Sequence, residues 1–304
     1  MDKLHAMATF VRIVDAGSLT AAAAQTGSSL TSVVRSLASL EGHLGVRLIN
    51  RTTRRLALTE EGRDYLFHCR KILAEIEDAE SALSDKRQEP SGLLRLTAPV
   101  MFGRLHVAPV VTDFLAAHPA MRAELVLLDR VVDFLEEGLD LAIRIGPLAD
   151  SSLVATTIGQ TRRIICASPP YLAEAGEPTA PRDLVNHRCI GFSGNRPAAE
   201  WEFTMDGKSN RTRIDGRLLT NQVDVALGAC LQGLGLGMFY EYQVAEHLRQ
   251  GRLKAVLTSF ETPQLPISIL FPSTRQLSLR VRSFVDWAAP RLRARIAGAL
   301  PSSL

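Results

Sequence analysis

Four arginines within nine residues, Arg47, Arg51, Arg54 and Arg55, form a compact run of positive charge in this 304-residue sequence. The nearest acids, Glu41 and Glu60, lie outside that run. Guanidinium forks match phosphate oxygens in geometry and charge. On a chain whose net charge is only +3, such a cluster reads as a dedicated phosphate-facing edge, although a charged hairpin in solvent would carry the same residues. Catalytic patterns are weak by comparison. Gly191-Phe192-Ser193-Gly194 falls one residue short of a nucleophile elbow. Gly233-Leu234-Gly235-Leu236-Gly237 resembles a dinucleotide loop, but it follows a helix and precedes a strand, the reverse of the required order, so it reads as a turn. The seven histidines and four cysteines show no metal-ligand spacing. The reading is therefore not an enzyme, with no cofactor and no metal.

The elements that must position the arginines are short and sharply punctuated. Leu4, Met7, Phe10, Val11 and Val14 recur at helical spacing until Gly17. Ser18 caps a short alanine-rich helix that Gly27 ends. A third helix runs from about Thr31 to Leu44, with Val33, Leu37, Leu40 and Leu44 as its apolar stripe. Leu48 to Thr59 reads as a hairpin with a basic tip, and three helices plus that hairpin make a winged helix-turn-helix. From residue 60 the apolar positions Tyr65, Cys69, Ile72, Ile76, Ala79 and Leu83 alternate in steps of 4 and 3, the seam of a coiled coil. A lone helix of this kind between domains is expected to dimerise. Pro90-Ser91-Gly92 marks a hinge.

Beyond the hinge, strand and helix signals alternate: strands at Leu93–Thr97, Glu124–Leu128, Leu139–Ile145, Arg163–Ala167, Leu236–Tyr240, Leu253–Leu257 and Ile267–Phe271. Helices fall at Phe102–Ala117, Val223–Leu231, Tyr242–Arg249 and Leu277–Ile296, with a hairpin across Asp206-Gly207. This texture predicts parallel α/β sheets. The start of the chain lacks the order of a signal peptide, no apolar run approaches the length of about 20 residues that a bilayer requires, and the four cysteines are scattered. These features predict reduced thiols in a cytoplasmic protein without a membrane partner.

The first 62 residues resemble the head of a LysR-type transcriptional regulator. The matching residues are Phe10, Ala16-Gly17-Ser18-Leu19, Ala22-Ala23, Arg35, Leu37, Leu40-Glu41, Leu44-Gly45, Arg47-Leu48, Arg51-Thr52, Arg54, Leu58-Thr59 and Gly62. The likeness continues through Asp140 to Gly146, Ala167-Ser168-Pro169 with Tyr171-Leu172, and Gly233-Leu234-Gly235. It implies an α/β protein with an N-terminal all-α winged helix-turn-helix at 1–59 and a linker helix at 60–89. Behind them it implies a periplasmic-binding-protein-like, two-lobed effector domain at 90–304. One lobe would join 93–160 to 267–296 and the other would be 161–266, with crossovers near Gly159–Arg162 and Pro263–Pro266. The sequence departs from the family on the third helix. Leu30 and Val34 stand where Gln and Ser are frequent, and Ala38 and Ser39 replace basic residues, while Arg35 is retained.

The resemblance implies binding to double-stranded DNA, a small-molecule effector, and self-association as a homodimer or as a tetramer or larger. It also admits RNA polymerase as a further partner. In the major groove Arg35 would address guanine, Thr31 and Ser32 base or phosphate, and Leu30 or Val34 a thymine methyl, with Ser29 and Ser39 flanking them. Arg51, Thr52, Arg54 and Arg55 of the wing would hold phosphate or enter the minor groove. Between the lobes, Ala98, Pro99, Val100, Met101 and Phe102 turn into a helix whose backbone N–H groups suit an anionic effector. Asp129, Ile145, Gly146, Phe192, Ser193 and Asn221 end other strands or open helices there, and each also reads as a core or capping residue. Two alternatives stay open: a redox switch through Cys189 or Cys230, and a structural DNA-binding protein that needs no effector.

Overall fold

The computed structural model describes residues 2–52, 55–83, 89–130, 137–147, 153–193, 200–205, 208–260, 264–272 and 277–299. It divides the chain into two units, Met1–Gly92 with Val132–Leu139, and Leu93–Val131 with Asp140–Leu304.

Side-chain caps set the first unit's helices. α1 (Lys3–Asp15) starts at Asp2, whose Oδ1 accepts the His5 N–H at 3.1 Å. α2 (Leu19–Thr26) starts at Ser18, and α3 (Leu30–Leu44) at Ser29, one residue earlier than the apolar pattern suggests. Gly27 and Gly45 close α2 and α3 in the left-handed conformation. Phe10, Ile13, Leu37, Leu40 and Leu48 are completely buried in one core. β1 (Ile49–Thr52) pairs antiparallel with β2 (Arg55–Leu58), and α4 (Glu60–Leu83) follows. Thr59 links wing and helix: its hydroxyl donates to the Arg47 carbonyl at 2.7 Å and accepts the Gly62 N–H at 2.9 Å.

The second unit holds two five-stranded sheets. The first has the order β4-β3-β5-β14-β6, from β3 (Gly92–Ala98), β4 (Met121–Leu127), β5 (Leu141–Ile145), β6 (Leu153–Thr161) and β14 (Leu265–Pro272). The second has the order β11-β8-β12-β7-β13, from β7 (Arg163–Ala167), β8 (Cys189–Phe192), β11 (Gly216–Thr220), β12 (Leu236–Tyr240) and β13 (Lys254–Val256). A hairpin of β9 (Glu200–Met205) and β10 (Lys208–Arg213) stands apart, with its turn residues Asp206 and Gly207 outside the described residues. Contrary to the all-parallel expectation, both sheets are mixed. β14 runs against β5 and β6, and β7 against β12 and β13. These two strands carry the chain between sheets without the helical crossover that parallel pairing requires.

Helices cover the sheets. α5 (Val100–Phe102) passes through a π-turn (Gly103–Val107) into α6 (Ala108–Ala117). α7 (Pro169–Ala175), α8 (Val223–Leu231) and α9 (Glu241–Arg249) flank the second sheet, and α10 (Leu279–Ala299) packs on the first. The run Val100–Ala117 is long and apolar enough to cross a bilayer. Its side chains Phe102, Val107, Val110, Val111 and Phe114 instead fill the first lobe's core.

Candidate nucleic-acid interface and effector cleft

α3 sorts its residues by face. Val33, Leu37 and Leu40 are buried, and Val34 is half-buried. Ser29, Leu30, Thr31, Ser32, Arg35 and Ser39 are exposed and share the outer side. Leu30 is 45% exposed, a large apolar residue left in water at the start of the helix. Ser29 caps that end, accepting the Ser32 N–H at 3.1 Å. The acids nearby are engaged elsewhere. Glu41 accepts the N–H groups of Leu48 and Ile49 at 2.9 and 3.2 Å, and Asp15 pairs with Arg70 of α4. Arg35 makes no ion pair among the described residues, which leaves its guanidinium available. Arg47 is exposed as well. In the wing Arg51 lies opposite Leu56 and Thr52 opposite Arg55. Arg54 lies outside the described residues, and of Arg51, Thr52 and Arg55 only the backbone is described.

The α4 seam divides. Cys69 is completely buried and Tyr65 partly so, both in the first unit's own core, where the Tyr65 ring lies 6.1 Å from Phe10. Cys69 is thereby removed from the expected dimer seam. Heptad spacing is equally satisfied by a helix packing on its own domain, and burial there raises the Cys69 thiol to about 11. Ile72 is exposed and Ile76 half-buried, while Ala79 and Leu83 are described by backbone alone.

The cleft residues separate into lining and core. Ala98 and Phe102 are completely buried in the first lobe's core, and Met101 reaches into the core of the second beside Ile164 and Val223. These three therefore serve packing and do not face a ligand-sized space. The Val100 N–H is taken by Asp129 Oδ1 at 3.0 Å, so the anion position at this helix start is filled by the chain's own carboxylate. Burial raises the Asp129 carboxyl above its usual range, opposed by the Val100 bond and Arg144. The Gly146 N–H donates to the Pro266 carbonyl at 2.9 Å, and Ile145 packs against the first core. Phe192 is half-buried against the second lobe's core. Ser193 is exposed and tied to the end of β11 through its N–H and the Thr220 carbonyl at 2.9 Å, with Asn221 exposed beside it.

Several residues at this seam escaped the sequence reading. Arg104 pairs with Asp224 across the lobes at 3.0 Å. Phe102 and His106 meet Tyr242 edge-on at 5.4 and 5.8 Å. Together with Thr161 they border a cavity of about 10 Å³, room for roughly one water molecule. Burial, then the charge of Arg295, holds His106 below the usual histidine value, and burial pushes the Tyr242 phenol up. Thr97 Oγ1, Asp129 Oδ2 and Thr161 Oγ1 are buried without a hydrogen-bond partner among the described residues. Arg144 donates to the Leu128 carbonyl at 3.4 Å. It had a visible signal, a lone charge inside the apolar run Leu141–Ile145; Tyr242 had none.

The cysteines are free and buried. Burial raises the Cys189 thiol to about 12, and Cys230 donates to the Cys166 carbonyl at 3.4 Å.

Comparison with known proteins agrees with this division. Residues 4–63 match the bacterial regulatory helix-turn-helix protein, lysR family, and residues 87–293 match the LysR substrate binding domain. A transcriptional repressor of Pseudomonas aeruginosa is 38% identical over 289 residues, covering 94% of this chain and 91% of its own. The solved structure of CrgA, a LysR-type transcriptional regulator from Neisseria meningitidis, is 30% identical. It aligns with a TM-score of 0.59 over 95% of this chain and 98% of its own. The full-length structure of AphB, a Vibrio cholerae virulence activator, is 28% identical, with a TM-score of 0.60 over 94% and 98% of the two chains. Both the head and the two-lobed domain thus match these regulators over nearly their full length; the chain belongs to the LysR family of bacterial transcriptional regulators.

Proposed function

We propose that this regulator reads its operator with the outer face of α3 and grips phosphate with the wing, and that a small molecule bound at the seam between the lobes changes that reading. The observation that carries the effector half is that Thr97 Oγ1, Asp129 Oδ2 and Thr161 Oγ1 are buried with no hydrogen-bond partner among the described residues. Leaving such groups unbonded costs about 1–3 kcal/mol each, and a polar ligand entering an opened cleft removes that cost. The seam carries both charges, Arg104 and Arg144 against Asp129 and Asp224. An effector that combines an acidic group with a hydrogen-bond donor therefore fits it better than a simple anion. The closed contacts of Met101 and Phe102 supply the two-state element: opening the lobes would separate them and move the paired heads. Self-association is assigned to the distal part of α4, from Ile72 onward, and the site of action to the cytoplasm, where the DNA is.

Redox switching through Cys189 or Cys230 has less support, because both thiols are buried and burial holds Cys189 as the unreactive thiol. Footprinting of genomic sites, followed by titration of metabolites handled by neighbouring genes, tests the effector reading. An effector should shift the footprint of the wild type, and Asp129→Asn with Thr97→Val should abolish that response. If the doubly substituted protein responds like the wild type, the seam is not the effector site.

A further inference from the structure

The glycine run Gly233-Leu234-Gly235 plays no part in the cleft, yet its backbone is tightly constrained. Gly233 ends α8 at φ +82°, and a Cβ on Gly235 would stand 2.2 Å from the Arg188 carbonyl oxygen. That carbonyl accepts the Leu236 N–H at 2.9 Å. The loop is thus held flat against the segment that leads into β8. The next strand over adds a second arginine. Gly216 faces Cys189 and Leu218 faces Ile190, so the register slips at Arg217. Such a slip re-aims a side chain. Arg188, Arg217, Glu174, Gln232, Gly233 and Leu234 thereby border one open basin of about 400 Å³, a size typical of small-molecule sites.

Two arginines against the single carboxylate of Glu174 leave the basin's described lining net positive, which suits an anion. Arg188 is steadied by lying over the Tyr171 ring at 5.0 Å, and by its N–H donating to the Tyr171 hydroxyl at 3.0 Å. Its one ion pair among the described residues, to Glu174 at 3.3 Å, is largely solvent-exposed, so an oxyanion can compete with it. Arg217 makes no ion pair among the described residues. The basin lies where β8, β11 and β12 begin, whereas Phe192, Thr220 and Tyr240 mark the far ends of the same parallel strands near the cleft.

We propose that this basin is a second binding site, for a small organic molecule carrying a compact oxyanion, phosphate or carboxylate. The two guanidiniums hold the oxyanion, while Gln232 and Leu234 meet the remainder of the molecule. The proposal is independent of the effector reading, because none of these residues borders the seam. The test is calorimetric titration of the full chain with inorganic pyrophosphate and, separately, with malonate, in chloride at constant ionic strength. At least one should bind saturably with one site per chain, at least tenfold more weakly in Arg217→Ala, and with affinity partly restored in Arg217→Lys. A head variant, Arg35→Ala with Arg55→Ala, should bind as the wild type does, which separates this site from the phosphate-facing wing. The proposal is overturned if neither probe binds saturably, if Arg217→Ala weakens binding by less than tenfold, or if the head variant abolishes it.

Discussion

Replacing Gly62 with alanine should weaken the head, although alanine is the better helix former by about 1 kcal/mol. Gly62 lies in the first turn of α4, where a Cβ would stand 2.0 Å from the Leu48 carbonyl oxygen and 2.8 Å from its carbon. A carbon rests no closer than about 3.3 Å to such an oxygen, so wing and helix must part by roughly 1 Å. That movement acts on two hydrogen bonds, Thr59 N–H to the Leu48 carbonyl at 3.1 Å and Gly62 N–H to Thr59 Oγ1 at 2.9 Å. Each is worth about 1 kcal/mol, the second being the N-cap bond of α4. Set against the propensity gain, the net loss is about 1 kcal/mol, or roughly fivefold in the opening equilibrium.

Both tryptophans, Trp201 and Trp287, lie in the second unit, so fluorescence does not report on the head. Hydrogen exchange at the buried α3 residues Val33, Leu37 and Leu40 does. In Gly62→Ala these amides should exchange roughly fivefold faster. Gly42→Ala provides the opposite sign: Gly42 lies within α3 with nothing inside 4 Å of a Cβ, so exchange there should slow. Unchanged or slower exchange in Gly62→Ala would refute the argument from close approach.

Four further outcomes follow from the same structure. Arg35→Ala should flatten base preference at one position by about 1–3 kcal/mol, whereas Arg55→Ala should weaken all sequences alike and lower the salt slope by about 1, both read by binding to operator and scrambled DNA. Burial lowers His106, His187 and His247 from the usual histidine value, so the unfolded chain takes up protons first as pH falls below about 6.5. Urea midpoints should therefore drop between pH 7 and 5.5, less steeply in His187→Asn, with the raised Asp129 carboxyl opposing the trend. Breaking the Arg104–Asp224 bridge, whose partners are more than a third exposed, should cost the fold under about 1 kcal/mol in thermal melts, while the Arg104→Asp, Asp224→Arg exchange restores it. Peroxide should leave operator binding unchanged in the wild type and in Cys189→Ala with Cys230→Ala, as gel-shift titration would show.

Legibility in the sequence followed how local the determining physics is. The head was readable because Ser18, Gly27 and Gly45 act within a turn of their own positions. The seam of α4 was half-readable. Tyr65, Cys69, Ile72 and Ile76 share a stripe, but nothing in the spacing says that Cys69 meets Phe10's core while Ile72 remains exposed. β6 was missed because Thr156, Thr157 and Gly159 dilute the strand signal, and Gly159 is small where Ile296 packs, a Cβ there standing 2.9 Å from it. The cleft was least legible. Strand ends pointed to Asp129, Phe192 and Ser193, but Asp129's bond to Val100 joins residues 29 positions apart in sequence, and Tyr242 arrives from the other lobe.

The outer face of α3 bears on how the head divides its labour. Its exposed residues include one fixed positive charge, Arg35, and no free carboxylate, since Glu41 is engaged with the wing's backbone. If α3 docks in the groove as proposed, helix contacts alone would supply little of the phosphate attraction that dominates affinity, and that term would fall to Arg47 and the wing arginines. What the helix adds is shape and apolar contact, with Leu30 45% exposed at its entrance and Thr31 and Ser32 beside it. An exposed leucine at a groove-facing position gains only where it covers another apolar group, which in the major groove is the thymine methyl. Base choice by this head should accordingly depend more on thymine methyls than in relatives with polar residues there. Replacing thymine by uracil at the contacted step should weaken binding of the wild type, and Leu30→Gln should remove that sensitivity; equal affinity of the wild type for both bases would place Leu30 off the DNA.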